Sequence, residues 1–293
     1  MKYRGEIGLL FVAVIWGSGF VASEMALGFF TPYQLLGLRF LLSAICLLLI
    51  FAKRISSIKK GSWKRGISLG LLLYLSFLAQ TVGLLYTTPS KNAFLTAINV
   101  IIVPFISLLL YRRPVDRYGV LGAFVAITGV GLISLNYDLS INIGDLLTVL
   151  CAIGFAFHIF YTGEFLRRGE DPFILSITQM TVAAVLGVIV AAGTTATNIG
   201  ISKGGTNWQI SLLAVIYLGL FCTTAAFLLQ TIAQKSINAV RVAVILSAES
   251  VFGAILSVIL LHETLTPRAI IGSLLVFGAI IIAEIKPFSP QKV

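Results

Sequence analysis

The sequence predicts an all-α membrane protein with ten transmembrane helices, arranged as two inverted five-helix repeats. Three observations predict it: the composition, the length of the apolar runs, and the distribution of lysine and arginine between them. Of 293 residues, 58% are hydrophobic and only 11% are charged, whereas about 25% of the residues in a soluble domain are charged. One core cannot bury this much apolar surface, so we expect lipid to surround the chain.

Ten apolar runs are long enough, or nearly so, to cross a bilayer as helices, which takes about 20 residues. Prolines lie at or near the start of four runs, where the missing N–H costs little. Pro104 lies inside the fourth run and predicts a kink there. The runs are 6–24, 31–52, 66–86, 92–111, 117–135, 144–165, 172–192, 209–232, 238–260 and 267–285.

The basic residues indicate how the helices are oriented. The formal net charge is +10, but lysine and arginine lie in the gaps between apolar runs, where they determine topology, so we expect no nucleic acid partner. Alternate gaps hold 17 of them on one side of the membrane and 3 on the other, and Arg39 lies inside the second run. The positive-inside rule then predicts a multi-pass protein of the cell membrane with both termini in the cytoplasm. The first run lacks a clear cleavage site for a signal peptide, so we expect it to be retained as a helix.

The two halves of the chain repeat. When Gln80–Thr81 is aligned with Gln230–Thr231 at a constant offset of 150 residues, Asn99 falls on Glu249. Earlier in the chain, Gly5–Glu6 matches Gly144–Asp145. Such internal repeats occur in many secondary transporters, whose substrate sites lie near the bilayer midplane between the halves.

The repeat also predicts the domain organisation. The first unit comprises residues 1–138 and the second comprises residues 139–293. Each unit contains five helices, and because five is an odd number, the second unit enters the membrane from the opposite side. The sequence therefore predicts an inverted-topology repeat.

Glu249 lies near the middle of the ninth run, in the segment 240–260. A carboxylate at that depth costs a few kcal/mol or more, and such residues usually face a bundle interior or a wet cavity. We therefore expect Glu249 to bind substrate and to couple transport to protons or to a cationic group. The alternative is a buried glutamic acid that stays neutral and bonds to a neighbouring helix.

Aromatic and polar side chains in other runs complete the predicted substrate site. A few polar groups among aromatic faces suit a small organic ligand that is polar at one end and apolar at the other. A core role is an equal alternative for His158, and helix packing is an alternative for any single tyrosine or threonine. Besides Glu249, the predicted site contains Trp16, Ser18, Tyr74, Gln80, Asn99, Phe155, His158, Tyr161, Tyr217 and Thr223.

Glu24 and Arg39 both fall in the outer part of the membrane, where they either pair as a gate or simply neutralise each other. The sequence contains no motif for a catalytic site, a metal site or ATP binding. We therefore expect no enzymatic activity, no metal and no cofactor. The expected partners are a small-molecule substrate, the lipid bilayer and, if the chain is not a monomer, a second copy in a homodimer.

Several segments resemble the EamA-type carriers of the drug/metabolite transporter superfamily. They are Ile15 to Ser18, Leu38 to Phe40, Gln80–Thr81 and the closing segment from Glu249 to Glu284. The resemblance implies a central cavity lined by helices one, three, four, six, eight and nine. Members of this superfamily move amino acids, other metabolites or drugs, often outward. The chain departs from the common Glu-Pro pair of helices four and nine, because it has asparagine–valine at position 99 and glutamate–serine at position 249.

The sequence thus predicts a secondary transporter of small metabolites such as amino acids or related compounds, with export as the expected direction. It would work by alternating access through a central cavity. The alternatives are a multidrug or organic-cation efflux carrier and a membrane protein that transports nothing. A membrane-embedded enzyme is disfavoured because no catalytic motif is found.

Overall fold

The structure is a computed structural model, which describes residues 3–112, 117–134, 142–205, 207–261 and 267–284. Within these ranges every regular element is helical. A 3₁₀ turn spans Ala52–Ser57, and π-helical segments span Ile106–Leu110 and Leu218–Ala225. The α-helices are α1 (Arg4–Leu27), α2 (Pro32–Ile50), α3 (Lys60–Gly83), α4 (Pro89–Ala97), α5 (Asn99–Phe105), α6 (Arg117–Ser134), α7 (Ile143–Arg167), α8 (Pro172–Ala196), α9 (Trp208–Tyr217), α10 (Ala226–Ala233), α11 (Ala239–Leu246), α12 (Glu249–Leu261) and α13 (Pro267–Glu284).

Eight helical stretches of the described chain are long and apolar enough to cross a membrane. Five of them lie in single helices: α1, α2, α3, α7 and α8. Three are composite, because α4 with α5, α9 with α10, and α11 with α12 each continue as one span. Two shorter apolar helices, within α6 and α13, coincide with the fifth and tenth predicted runs. The chain is therefore a multi-pass membrane protein.

Local capping explains where several helices begin. Thr31 and Asp171 precede α2 and α8, and the side chain of each accepts a hydrogen bond from a backbone N–H of the first turn. A proline follows both caps at the first helical position, as is common at helix starts. Thr88 and Asn238 cap α4 and α11 in the same way. The same kind of cap therefore begins corresponding helices in the two halves.

Helix boundaries recur at the offset that the sequence predicts. The starts of α4 and α11 and of α5 and α12 are each 150 residues apart. The ends of α3 and α10 are also 150 residues apart. Because caps and turns determine these boundaries, the agreement reflects local backbone structure as well as residue identity.

Two spans are interrupted at corresponding positions. Between α4 and α5, the Ile98 N–H bonds the Leu95 carbonyl at 3.3 Å, a tight i→i−3 contact. Between α11 and α12, the Ala248 N–H bonds the Ile245 carbonyl at 3.2 Å in the same way. The fourth run thus tightens to 3₁₀ geometry at Ile98, and a π-helical segment, Ile106–Leu110, follows Pro104, where the sequence predicted a kink. Such turns inside a helix often mark functional hinges.

Helices from opposite halves pack against one another. The helix α6 contacts α13, α2 contacts α8, and α3 contacts both α7 and α8. Glycine permits the closest approach: a Cβ added at Gly129 would lie 2.6 Å from the Gly272 carbonyl oxygen, and one at Gly37 would lie 3.0 Å from the Gly187 carbonyl oxygen. Small residues at such crossings let membrane helices pack tightly. The halves consequently form one interlocked bundle.

Candidate functional site

A cavity lies where α1, α2, α3 and α7 meet the three composite spans, which are α4 with α5, α9 with α10, and α11 with α12. The space not occupied by protein atoms is about 600 Å³, which includes open solvent at the mouth of the cavity. The lining spans are those that the resemblance implied, with α2 in addition. In the labels of this structure the implied spans are α1, α3, α4 with α5, α7, α9 with α10, and α11 with α12. The cavity is lined by Trp16, Gly19, Phe20, Ser23, Arg39, Phe77, Gln80, Thr96, Asn99, Phe155, His158, Ile159, Cys222, Phe227, Gln230, Leu246 and Glu249.

Most of the lining consists of residues that correspond between the two halves. Seven pairs account for 14 of the 17 lining residues, at an offset of 139 for α1 with α7 and of 150 for the other helices. A cavity lined in this way lies between the repeats. The pairs are Trp16 with Phe155, Gly19 with His158, Phe20 with Ile159, Phe77 with Phe227, Gln80 with Gln230, Thr96 with Leu246, and Asn99 with Glu249.

Glu249 is the first residue of α12, directly after the interruption of its span. Its side chain is 6% exposed and lines the cavity. Within the described chain its carboxyl group has neither a hydrogen bond nor a cationic partner within 4.0 Å. An ionised carboxylate in such a place needs a partner, because burial of an unpaired charge is costly. The group is therefore available for a proton or for a ligand.

Asn99 occupies the corresponding position at the start of α5. It is 8% exposed and also lines the cavity. The sequence predicted both residues as site members, and the structure brings them to one cavity. Their chemical difference is that asparagine stays neutral at every physiological pH, whereas glutamate can ionise.

Arg39 projects from α2 into the same cavity and is 4% exposed. Its Nε atom donates a hydrogen bond to the Thr223 hydroxyl oxygen at 2.6 Å. The guanidinium carbon lies 4.1 Å from the centroid of the Phe77 ring, which is cation–π geometry. Thr223 is itself fixed, because its hydroxyl donates to the Leu218 carbonyl at 2.8 Å within a π-helical segment. One hydroxyl and one ring therefore hold the cation in place.

Aromatic rings form an apolar wall of the cavity. The centroid of Phe77 lies 5.0 Å from that of Phe155 and 5.8 Å from that of Phe227. Phe227 in turn lies 4.8 Å from Trp16, whose indole N–H donates to the Cys222 carbonyl at 2.8 Å. Phe77 and Phe227 are a corresponding pair in contact with each other. The apolar body of a ligand would pack against these rings.

Several buried polar atoms at the cavity have no hydrogen-bond partner among the residues that the structure describes. His158 Nε2 bonds Gln179 Oε1 at 2.8 Å, which leaves Nδ1 unpartnered. Both polar atoms of the Gln230 side chain are also unpartnered. Gln80, by contrast, donates to the Thr96 hydroxyl at 3.0 Å. Buried polar atoms normally find a partner, and water or a ligand would satisfy these.

Five predicted site residues do not line the cavity. Ser18 and Tyr217 are bonded to each other, with 2.5 Å between their hydroxyl oxygens. Tyr74 packs against Phe40, and its buried hydroxyl bonds to none of the described residues. Tyr161 lies in an aromatic group of its own, and Thr223 lies behind Arg39. The six that do line the cavity are Trp16, Gln80, Asn99, Phe155, His158 and Glu249.

Glu24 and Arg39 do not pair with each other in this structure. Both carboxylate oxygens of Glu24 lie 2.7 Å from Lys203 Nζ, and the Lys203 N–H donates to the Leu27 carbonyl at 2.7 Å. The loop before α9 folds back onto the end of α1 and supplies this partner. Arg39 instead reaches the cavity.

Sequence reasoning missed Phe77, Phe227 and Gln230, and it placed Arg39 at a gate. The repeat held a clue to Gln230, since it corresponds to Gln80, which was predicted. The phenylalanines correspond to each other at the same offset, but an aromatic residue in an apolar run does not stand out. Among the described residues, no group of three or more histidine, cysteine or acidic side chains could hold a metal ion.

A bundle of apolar helices around a cavity with an aromatic wall and buried ionisable side chains defines a polytopic membrane protein with an internal cavity. A sequence model of the EamA-like transporter family matches residues 3–135 and again residues 142–284. The chain belongs to this family, which places it in the drug/metabolite transporter superfamily.

Individual proteins agree with this assignment. An "uncharacterized transporter" of Archaeoglobus fulgidus is 31% identical over 285 residues, which cover 97% of this chain and 87% of that protein. The "uncharacterized transporter YvbV" of Bacillus subtilis is 23% identical over 97% of this chain and 93% of its own. A solved crystal structure shares the fold with a TM-score of 0.77 at 16% identity, covering 97% of this chain and 99% of that one.

Proposed function

We propose that the chain is a secondary carrier of small organic metabolites, such as amino acids or related compounds, and that it exports them by alternating access. The observation that carries the proposal is the central cavity, most of whose lining consists of corresponding residues from the two halves. A site between repeats can be exposed to either side of the membrane when the repeats exchange conformations.

The proposal includes ten spanning helices, with residues 1–138 and 139–293 as inverted repeats and both termini in the cytoplasm of a cell-membrane protein. Ion pairs between distant loops support this topology. Lys203 bonds Glu24, and Lys91 bonds Asp145 at 2.7 Å, and all four residues fall on the predicted outer side. Arg54 bonds Asp171 at 2.8 Å on the predicted inner side. Each pair joins segments that the alternation of basic residues assigns to one side.

The proposed binding residues are those predicted residues that line the cavity, together with Arg39. Glu249 would carry the proton or cation that drives transport, because its carboxyl group has no protein partner in the described chain. Ser18, Tyr74, Tyr161, Tyr217 and Thr223 would support the site from behind. Glu24 is a candidate gate residue with Lys203 as its partner.

A second candidate is an organic-cation or multidrug efflux carrier. The buried carboxyl group of Glu249 beside aromatic rings favours it, because rings and a carboxylate together bind cations. Arg39 in the same cavity disfavours a substrate that carries only positive charge, since like charges repel at short range.

Solute uptake by proteoliposomes that contain the purified protein tests the proposal. We expect accumulation of a metabolite when a pH gradient is imposed, and none in protein-free liposomes. Reporter fusions at Lys292 and within 193–207 should report opposite sides of the membrane. A carrier that moves no solute under any gradient would contradict the function, and identical sides for the two reporters would contradict the inverted repeat.

A further inference from the structure

The guanidinium group of Arg39 is a buried cation without a carboxylate partner. No carboxylate oxygen of the described residues lies within 4.0 Å of its nitrogens, although the side chain is only 4% exposed. The neutral Thr223 hydroxyl and the Phe77 ring are its contacts. Neither neutralises the charge, and a buried cation that remains uncompensated is costly. An anionic ligand at Arg39 would balance this buried charge.

The way in which Arg39 is held leaves one edge of the guanidinium for a ligand. Thr223 takes the Nε hydrogen, and Phe77 covers one face of the plane. The two terminal nitrogens donate no hydrogen bond within the described chain. These nitrogens present parallel N–H groups, which match the two oxygens of a carboxylate. Because Arg39 lines the cavity, a small organic anion can reach it.

The surroundings of Arg39 determine what the rest of such an anion would be. The Phe77 ring lies beside the guanidinium, and Phe155 and Phe227 pack against Phe77 and extend the apolar wall of the cavity. The cavity thus offers a cation next to aromatic surface, which suits a carboxylate attached to an apolar or aromatic body. Glu249 lines the same cavity. When a carboxylate neutralises Arg39, Glu249 must therefore be protonated, or the same ligand must carry a positive group that balances it.

We infer that Arg39 is the anchor for a substrate carboxylate, so that the carrier takes organic acids or zwitterions in preference to neutral or purely cationic solutes. Thr223 is the positioning residue that orients the guanidinium. The inference rests on the proposed carrier function and adds the charge that the substrate must carry. Nothing in it requires a particular metabolite.

Binding of three matched probes to the purified protein tests this inference without transport. The probes are 3-phenylpropionate, its neutral amide and 3-phenylpropylamine, which share one aromatic body. Ligand binding to the folded state raises the apparent melting temperature. We expect 3-phenylpropionate to raise it in a concentration-dependent way, and the amide to have little effect.

Variants assign the effect to Arg39. Arg39→Gln should weaken binding of 3-phenylpropionate by about 100-fold, as loss of one partner of a buried charge pair does. Arg39→Lys keeps the charge but loses the fork, so we expect a loss of about tenfold. Lys64→Gln removes one positive charge from an exposed position and should change nothing. Size-exclusion profiles without ligand show whether each variant folds.

Thr223 supplies a second, independent readout. Thr223→Val removes the hydroxyl that accepts from Arg39 and should weaken 3-phenylpropionate binding severalfold, while Thr223→Ser should restore it. A purely structural role would instead lower the melting temperature of both variants without changing their affinity for the probe.

The outcomes separate this inference from the proposed function. Absence of 3-phenylpropionate binding, or equal binding by the parent and folded Arg39→Gln, would overturn the carboxylate site. If 3-phenylpropylamine binds instead and binding depends on Glu249, Arg39 acts as an internal counter-ion and the carrier function survives. Failure of solute uptake with carboxylate binding intact would contradict the carrier function alone.

Discussion

The first half of the chain contributes a cation to the cavity, and the second half contributes an acid. Arg39 in α2 corresponds, at an offset of 140, to Gln179 in α8, and Asn99 in α5 corresponds to Glu249 in α12. The helices of the two halves share caps, boundaries and interruptions. However, each of these two ionisable residues corresponds to a neutral residue in the other half. The backbone thus determines where these side chains lie, whereas single substitutions determine the polarity of the site.

His158 shows the same divergence at the next corresponding pair. Its counterpart is Gly19, where an added Cβ would lie 3.2 Å from Cys222 Sγ, so the first half has no polar side chain at the position of the imidazole. The cavity that surrounds Glu249 and Asn99 is therefore lined by different side chains at corresponding positions of the two halves. We expect corresponding residues to be equivalent in location and not interchangeable in function.

The largest expected effect follows from neutralising the acid of the second half. Glu249→Gln keeps the shape and removes the charge, so uptake should fall at least about tenfold, because an intramembrane acid is usually part of the mechanism. Uptake should also lose its pH dependence between roughly pH 5.5 and 8.5, across the range where buried carboxyl groups change charge. Proteoliposome uptake at several pH values measures both effects.

Matched variants sharpen that comparison. The other ionisable groups that line the cavity are Arg39, His158 and Cys222, and Cys151 of α7 lies near Glu249 as well. His158→Gln should therefore keep the pH dependence if Glu249 is its source. Asn99→Asp combined with Glu249→Gln should not restore the uptake that Glu249→Gln loses. The acid would then lie at a position whose surrounding cavity residues, such as His158 and Gly19, are not equivalent in the two halves. Full activity of Glu249→Gln across the pH range would make Glu249 a structural residue.

A smaller effect is expected where the halves differ in packing. A Cβ added at Gly17 would lie 2.7 Å from the Glu249 carbonyl oxygen, whereas the corresponding residue of α7 is Ala156, which is fully buried. Gly17→Ala should lower the free energy of unfolding by about 1–3 kcal/mol through overpacking. Gly8→Ala in the same helix adds a Cβ with nothing within 4 Å and serves as the control. Equal melting temperatures for both variants would contradict the close contact of α1 with α12.

The smallest effect is expected at Glu24, near the end of α1, and the more buried Asp145, near the start of α7, provides the comparison. The Glu24–Lys203 pair has side chains that are 28% and 25% exposed, so Glu24→Gln should cost less than about 1 kcal/mol. Asp145 is 5% exposed and bonds Lys91, Thr87 and the Asn142 backbone, so Asp145→Asn should cost about 2 kcal/mol, since a buried hydrogen-bonded charge is harder to replace. Melting temperatures measure both. Loss of uptake by well-folded Glu24→Gln would instead support a gating role.

The positions of the helices could be predicted from the sequence, because apolar runs, prolines and capping residues act locally, but α3 begins at Lys60, ahead of the predicted start at residue 66. Glu249 and Asn99 could be predicted to share a cavity because polar residues are conspicuous in apolar runs and the repeat links them. The partner of Glu24 could not, because Lys203 reaches it through a loop whose path has no periodic pattern. Thr223 was predicted to touch substrate, but only the three-dimensional packing of α2 against the π-helical segment shows that it holds Arg39.

The interruptions at Ile98 and at Ser247–Ala248 have a mechanical consequence. A continuous helix resists bending along its whole length, whereas a span with a local 3₁₀ turn is most compliant at that turn. Asn99 and Glu249 begin the segments just beyond these two compliant points. When either end of such a span moves, we therefore expect the side chains of Asn99 and Glu249 to change direction more than position.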